Sequence, residues 1–165
     1  MKWYTKCMCL LAVATLLFLI GGMAYVVKAK YSMNDYAIQI GAAFNAATLV
    51  NATETYTDAD HAVVAAHEGQ RTILVPENYK ALSSYLRRDH AMPLFSHIDK
   101  TTALHVSICN QSHLYIQGDK DGDGAMVRFE TAGDAFVMHV RGGDLWDKIL
   151  KLCMEGTHSN PNIAL

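Results

Sequence analysis

"ALHVSICNQSHLYIQGDKDGDGAMVRFETAGDAFVMHV", Ala103 to Val140, decides the fold. Apolar residues alternate with polar ones in four short runs. Leu104, Val106 and Ile108 share one side of the first run, and Leu114 and Ile116 one side of the second. Val127 and Phe129 do so in the third, and Phe136, Met138 and Val140 in the fourth. A period of two residues is the mark of a strand with one face buried. The breaks are short and polar: Asn110-Gln111-Ser112, the stretch from Gly118 to Ala125, and Ala132-Gly133-Asp134. Strands so closely spaced pair with their neighbours as an antiparallel meander.

Working outward, "DLWDKILKLCME" (Asp144 to Glu155) predicts a helix capped by Asp144, with Trp146, Ile149, Leu150 and Cys153 on its buried stripe. Upstream, "HAVVAAHEGQRTILV" (His61 to Val75) holds two β-rich runs around Glu68-Gly69-Gln70, a hairpin signal. Pro76 then opens "PENYKALSSYLRRD", where proline suits a first helical turn. Tyr79, Leu82 and Leu86 form its apolar stripe, and Arg87 and Arg88 favour its C-terminal end. A loop containing Pro93 leads on to Lys100. Met33, Tyr36, Ala37, Ile40, Phe44 and Ala47 recur at helical spacing, whereas "NATETYTDAD" (Asn51 to Asp60) reads as a surface linker.

"CMCLLAVATLLFLIGGMAYVV", Cys7 to Val27, contains no charge. As a helix it is about 31 Å long, close to the hydrocarbon thickness of a bilayer. Lys2 and Lys6 before it, and Ala29 after it, also suit a signal peptide cut after Ala29, but the apolar run is long for that and favours an uncleaved signal-anchor. The fold class expected is therefore α+β: an N-terminal transmembrane helix, then a small domain whose antiparallel β-meander is packed by helices. The parts are a tail and anchor at 1–30, a helix and polar linker at 31–60, an exported domain at 61–156 and a flexible tail at 157–165. The short segment before the span places the N-terminus inside, giving a single-pass protein of the cell membrane with its domain extracytoplasmic.

Charge divides along the chain. Residues 1–30 carry four lysines and no acid, while residues 31–165 carry ten Lys/Arg against sixteen Asp/Glu. An acidic domain has no electrostatic footprint for nucleic acid. Of the four cysteines, Cys7 and Cys9 begin the span, and Cys109 and Cys153 form the one pair of the exported domain. In an oxidising compartment a disulfide between these two would close a loop of over forty residues.

The stretch with a chemical signature is "GDKDGDGAMVRFE", Gly118 to Glu130. A twelve-position calcium loop asks for acids at positions one, three and five, glycine at six and glutamate at twelve. Asp119, Asp121, Asp123, Gly124 and Glu130 fill those positions, and calcium is the cofactor they point to. The ligands resemble those of helix–loop–helix calcium proteins, but here strands flank the loop, and Val127 stands where propeller-type hairpin loops place a further acid. Asp and Gly also dominate plain hairpin connections, so a solvated turn is the competing reading.

Eight histidines form no metal-ligand spacing, although His105, His113 and His139 fall on the polar side of their strands, where all three would cluster with Tyr115 if the strands are neighbours. No nucleophile motif surrounds Ser83, Ser84 or Ser107, and no glycine-rich phosphate loop occurs. The expected function is binding without catalysis, toward a protein or envelope partner, with the membrane engaged by residues 7–27. An envelope enzyme with an unidentified active site is the alternative of another class. The layout of an apolar helix running into a soluble helix, a four-stranded sheet and a late cysteine is similar to that of pilin subunits. That resemblance implies a structural subunit of an envelope assembly. "MKWYTKCMCLL" departs from it, lacking the glycine cleavage site before the span and the glutamate soon inside it.

Overall fold

The computed structural model describes residues 2–53, 63–87, 91–93 and 97–155 of the chain. Most of the expected linker and the whole of the 157–165 tail lie outside these residues. The first element, α1 (Lys2–Thr53), is one unbroken helix of 52 residues. At 1.5 Å per residue it is about 78 Å long. Its two halves differ completely. Every residue from Cys7 to Val27 is exposed, and this half is long and apolar enough to span a membrane. In the second half Tyr36, Ile40, Phe44 and Ala47, three or four residues apart, are buried.

The remaining elements are β1 (Val63–His67), β2 (Gln70–Ile73), α2 (Pro76–Leu86), β3 (Ala91–Pro93), β4 (Leu104–Ile108), β5 (Ser112–Gly118), β6 (Gly124–Glu130), β7 (Ala135–Arg141) and α3 (Leu145–Met154). The seven strands form one antiparallel sheet in the order β2-β1-β4-β5-β6-β7-β3. The expected meander is its centre, and the alternation assigned the inward face correctly. Leu104, Val106, Ile108, Leu114, Ile116, Val127, Phe129, Met138 and Val140 are buried, with Phe136 partly so. All three helices share one core with this face. The helix of residues 31–53 is thus part of the domain rather than a lead-in to it.

Local chemistry explains the turns. Glu68 and Gly69 both take positive φ (48° and 80°), as a two-residue hairpin between His67 and Gln70 requires. Cys109 and Asn110 do the same (50° and 55°), with the Gln111 N–H bonded to the Ile108 carbonyl at 3.1 Å. Asparagine tolerates that conformation and a cysteine there is less usual.

Three sequence expectations are corrected. Asp144 precedes α3 but is left-handed (φ 57°) and makes no side-chain cap. That backbone turns its carboxylate away from the first-turn N–H groups, which an extended residue would face. The buried stripe of α3 is Leu145, Ile149 and Cys153, with Trp146 and Leu150 half-buried. The supposed loop through Pro93 contains β3, which pairs with β7 at the sheet edge. Proline is tolerated there because an edge strand has an unpaired side.

From β3 at one edge, the chain returns to β4 between β1 and β5. The described part of this connection, residues 97–103, lies against the face away from the helices. Ile98 is fully buried yet outside the main core, and Lys100 meets Tyr115 and Glu130 of the outward face. Asp99 stabilises this crossing by accepting from the Thr101 N–H (2.9 Å) and hydroxyl (2.7 Å).

Candidate functional site

The aspartate stretch is the tip of the β5–β6 hairpin. The Asp119 N–H donates to the Gly124 carbonyl and the Gly122 N–H to the Asp119 carbonyl, both at 3.1 Å, with Gly122 left-handed (φ 72°). Asp121 and Asp123 are exposed. Asp119 is not directed into the turn: its carboxylate lies 2.9 Å from Nε2 of His139 on β7. The Asp123 carbonyl accepts from the Gly142 N–H at 2.9 Å, tying the tip to the start of α3.

Glu130 is not brought to this loop. It ends β6, whose seven residues separate it from the tip by about 20 Å at strand rise. There its carboxylate accepts from Lys100 (2.8 Å to each oxygen) and from Arg128 (2.6 Å). Burial pushes the Glu130 carboxyl up, but the bonds and charges of Lys100 and Arg128 together outweigh it and hold it below the usual carboxylate range. The straightness of a strand is the reason. Twelve-position loops close only when the chain curls back, and the Leu114↔Phe129 and His113↔Glu130 pairs keep it extended. Among the described residues, no three His, Cys, Asp or Glu side chains converge as a metal site.

No disulfide joins Cys109 to Cys153. Cys109 sits half-buried in the β4–β5 turn, and Cys153 is fully buried in α3. Burial pushes the Cys153 thiol up to about 12 and raises Cys109 as well, so both stay protonated at neutral pH.

The outward face brings together residues that alternation alone could only place on one side. Strand register aligns Arg71, Ala66, His105, Tyr115, Arg128 and Val137 in one row across six strands. The His105 ring stacks on Tyr115 at 4.8 Å and 11°, and on His113 at 5.3 Å. Nε2 of His105 and Nδ1 of His113 are 3.2 Å apart, so one ring donates to the other. The Lys100 ammonium lies 4.6 Å from the Tyr115 ring centre. Desolvation first, then the charges of His113, Lys100 and Arg71, hold His105 below the ordinary histidine range despite the opposing pull of Glu130. His139, expected on the same face, pairs with Asp119 instead.

A cleft of about 510 Å³ opens between α1 and α2. Asn45 and Thr48 line it from α1, Lys80, Ser83 and Ser84 from α2, and Arg87 from the C-cap of α2. Buried Phe44 and Tyr79, with ring centres 6.4 Å apart, close it from beneath. Arg87 crosses to α1 because residue 41 is glycine: a Cβ there would lie 3.0 Å from Nη1 and 3.2 Å from Cζ. Sequence reasoning assigned Arg87 to the helix end and found no base for the serines. The signal it passed over is the polar repeat 80, 83, 84, 87, which puts these four side chains on one helical face.

Compared with protein-family models, with curated proteins and with solved structures, the chain matches none.

Proposed function

We propose that the chain is a single-pass membrane-anchored domain, held outside the cytoplasm, that binds rather than catalyses. The observation that carries this reading is the division of α1. One half exposes 21 consecutive uncharged residues, and the other is built into the domain core. Burial of such a surface is strongly favourable, and lipid is the medium that covers a 31 Å apolar cylinder on all sides (about 25 cal/mol per Å² of apolar area). The binding role is supported by how the outward-face groups are used. Glu130 is held by Lys100 and Arg128, His105 by His113 and Tyr115, and Asp119 by His139. Such mutual pairing fixes a surface in shape.

The test is fractionation of cells expressing the full chain, followed by alkaline extraction and labelling with a membrane-impermeant lysine reagent. Retention in the membrane with Lys120 and Lys148 labelled in intact cells is expected. Release by alkali, or labelling only after lysis, overturns the anchor or its orientation. A photo-crosslinking residue at position 115 then tests the binding face. Adducts with a discrete partner are expected, and none above those from position 147, exposed on α3, would refute it.

A further inference from the structure

The α1–α2 cleft differs in charge from the rest of the molecule. Residues 31–165 carry six more acids than Lys/Arg, yet its lining includes Lys80 and Arg87 and no carboxylate. Among the described residues neither cation forms an ion pair. Its volume falls within the range of small-molecule sites, about 300–1,000 Å³. The donors are also placed for an anion. Thr48 spends its hydroxyl proton on the Phe44 carbonyl (2.9 Å), which leaves the Asn45 amide and the Ser83 and Ser84 hydroxyls to face a ligand. Gly41 lets the Arg87 guanidinium lie flat against α1, so its planar N–H fork is positioned before anything binds. Lys80 and Arg87 stand two helical turns apart, about 10 Å along the axis, and both line the cleft.

We propose that this cleft binds a phosphoryl group, carried either by a small soluble phosphomonoester or by the headgroup of an anionic lipid. Two cations match the double negative charge of a phosphomonoester, and a guanidinium with hydroxyl donors suits its several acceptor oxygens. Phe44 and Tyr79 give the organic body of the ligand an apolar floor. The inference needs only the α1–α2 geometry and does not rest on membrane insertion.

The full chain in neutral detergent is titrated with inorganic phosphate and with glycerol phosphate, against chloride at matched ionic strength. A rise in melting temperature with phosphate over chloride is expected. Lys80→Gln with Arg87→Gln should weaken the apparent affinity by about tenfold or more. Gly41→Ala should weaken it several-fold, because the new methyl displaces the guanidinium while both charges remain. Lys80→Gln alone, at an exposed position, keeps the test open if Gly41→Ala disturbs packing. The chain is then compared in phosphatidylcholine nanodiscs with and without phosphatidic acid. A response to glycerol phosphate in detergent supports the inference and identifies a soluble ligand. Protection of Lys80 from acylation only with phosphatidic acid supports it and identifies a lipid headgroup. A shift as large in the double variant as in the parent, or no response to either source, overturns it.

Discussion

Gly124→Ala is expected to be the most damaging single methyl in the sheet. Gly124 begins β6 opposite Arg141 of β7. A Cβ there would run into the Val140 carbonyl oxygen and lie 3.1 Å from the Arg141 Cα. These are backbone atoms, which cannot rotate aside as a side chain can. Either β6 and β7 part at this end or the hairpin tip moves. Both routes threaten the bonds from the Asp119 N–H to the Gly124 carbonyl and from the Gly142 N–H to the Asp123 carbonyl. One or two such bonds contribute about 0.5–1.5 kcal/mol each, and overpacking costs about 1–3 kcal/mol, so the total is about 1.5–6 kcal/mol.

Two other glycines calibrate the estimate. A Cβ at Gly118 would lie 2.9 Å from Cδ1 and Cγ of Trp146, a side chain that can swing, so Gly118→Ala should cost about 1–2 kcal/mol. Gly133 has nothing within 4 Å of such a Cβ, and Gly133→Ala should stay within about 0.5 kcal/mol. Thermal and urea unfolding of the three variants gives the ranking, with about 3–5 °C of melting temperature per kcal/mol for a domain of this size. Gly124→Ala as stable as Gly133→Ala would refute the close approach of β6 to β7. It would also remove the basis for placing the aspartate tip beside His139.

The remaining predictions concern titration, thiols and the hairpin. His105 binds its proton less readily folded than unfolded, so stability should fall as pH drops below about 6.5, and His105→Gln should flatten that slope; an unchanged slope would refute its desolvated stacking. Glu130 has the opposite sense, with its folded carboxyl below the unfolded value. Its contribution is therefore present above about 4.3 and lost further into acid, and Glu130→Gln should cost under about 1 kcal/mol at neutral pH, less in high salt. Cys153 should resist iodoacetamide at pH 8 until the chain unfolds, and rapid modification of the folded protein would contradict its burial. Asp119→Asn should cost about 1–2 kcal/mol through its His139 bond, Asp121→Asn almost nothing, and calcium or chelator should leave the melting temperature unchanged. A calcium-dependent rise abolished by Asp121→Asn would establish a cation site instead.

The strands were legible because each carries a clean period of two, and local pattern is all that a strand's inward face requires. What the pattern could not supply was register. His105, His113 and Tyr115 were visibly on one side, but only the His105↔Tyr115 and Ser107↔His113 pairs make them a stack, and only the Met126↔His139 pair beside the tip gives Asp119 its partner. The aspartate pattern has a related limit. Twelve positions can be counted in any conformation, and only a curled chain makes position twelve a neighbour of position one. β3 was hidden because three residues ending in proline carry no period, and they pair through the backbone of β7. The α1–α2 cleft was invisible to motif reading because its donors come from two helices that are far apart in sequence, and only Gly41 leaves Arg87 room against α1.

The same helix that gives the apolar cylinder also supplies Tyr36, which packs edge-on against Phe129 at 6.3 Å and donates its hydroxyl to the Leu86 carbonyl at 3.1 Å. Gln39, one turn on, donates to Asp134 of the β6–β7 turn at 3.0 Å. A flexible tether would leave a domain free to reorient above a bilayer. Here Tyr36 stands nine residues beyond Val27 on the unbroken α1, only about 13 Å along the axis. Rotation of the domain against the span would require breaking either α1 or the core that Tyr36, Ile40, Phe44 and Ala47 share with the sheet. With the span in a bilayer, the cleft and the outward face of the sheet would therefore be held at fixed heights and directions relative to the lipid. A pair of glycines inserted after Lys30 isolates this coupling. It should leave the melting temperature within a few degrees, because no core residue is touched, while changing which positions crosslink to lipid headgroups. An unchanged lipid-crosslinking pattern would mean that the helix does not set the domain's orientation.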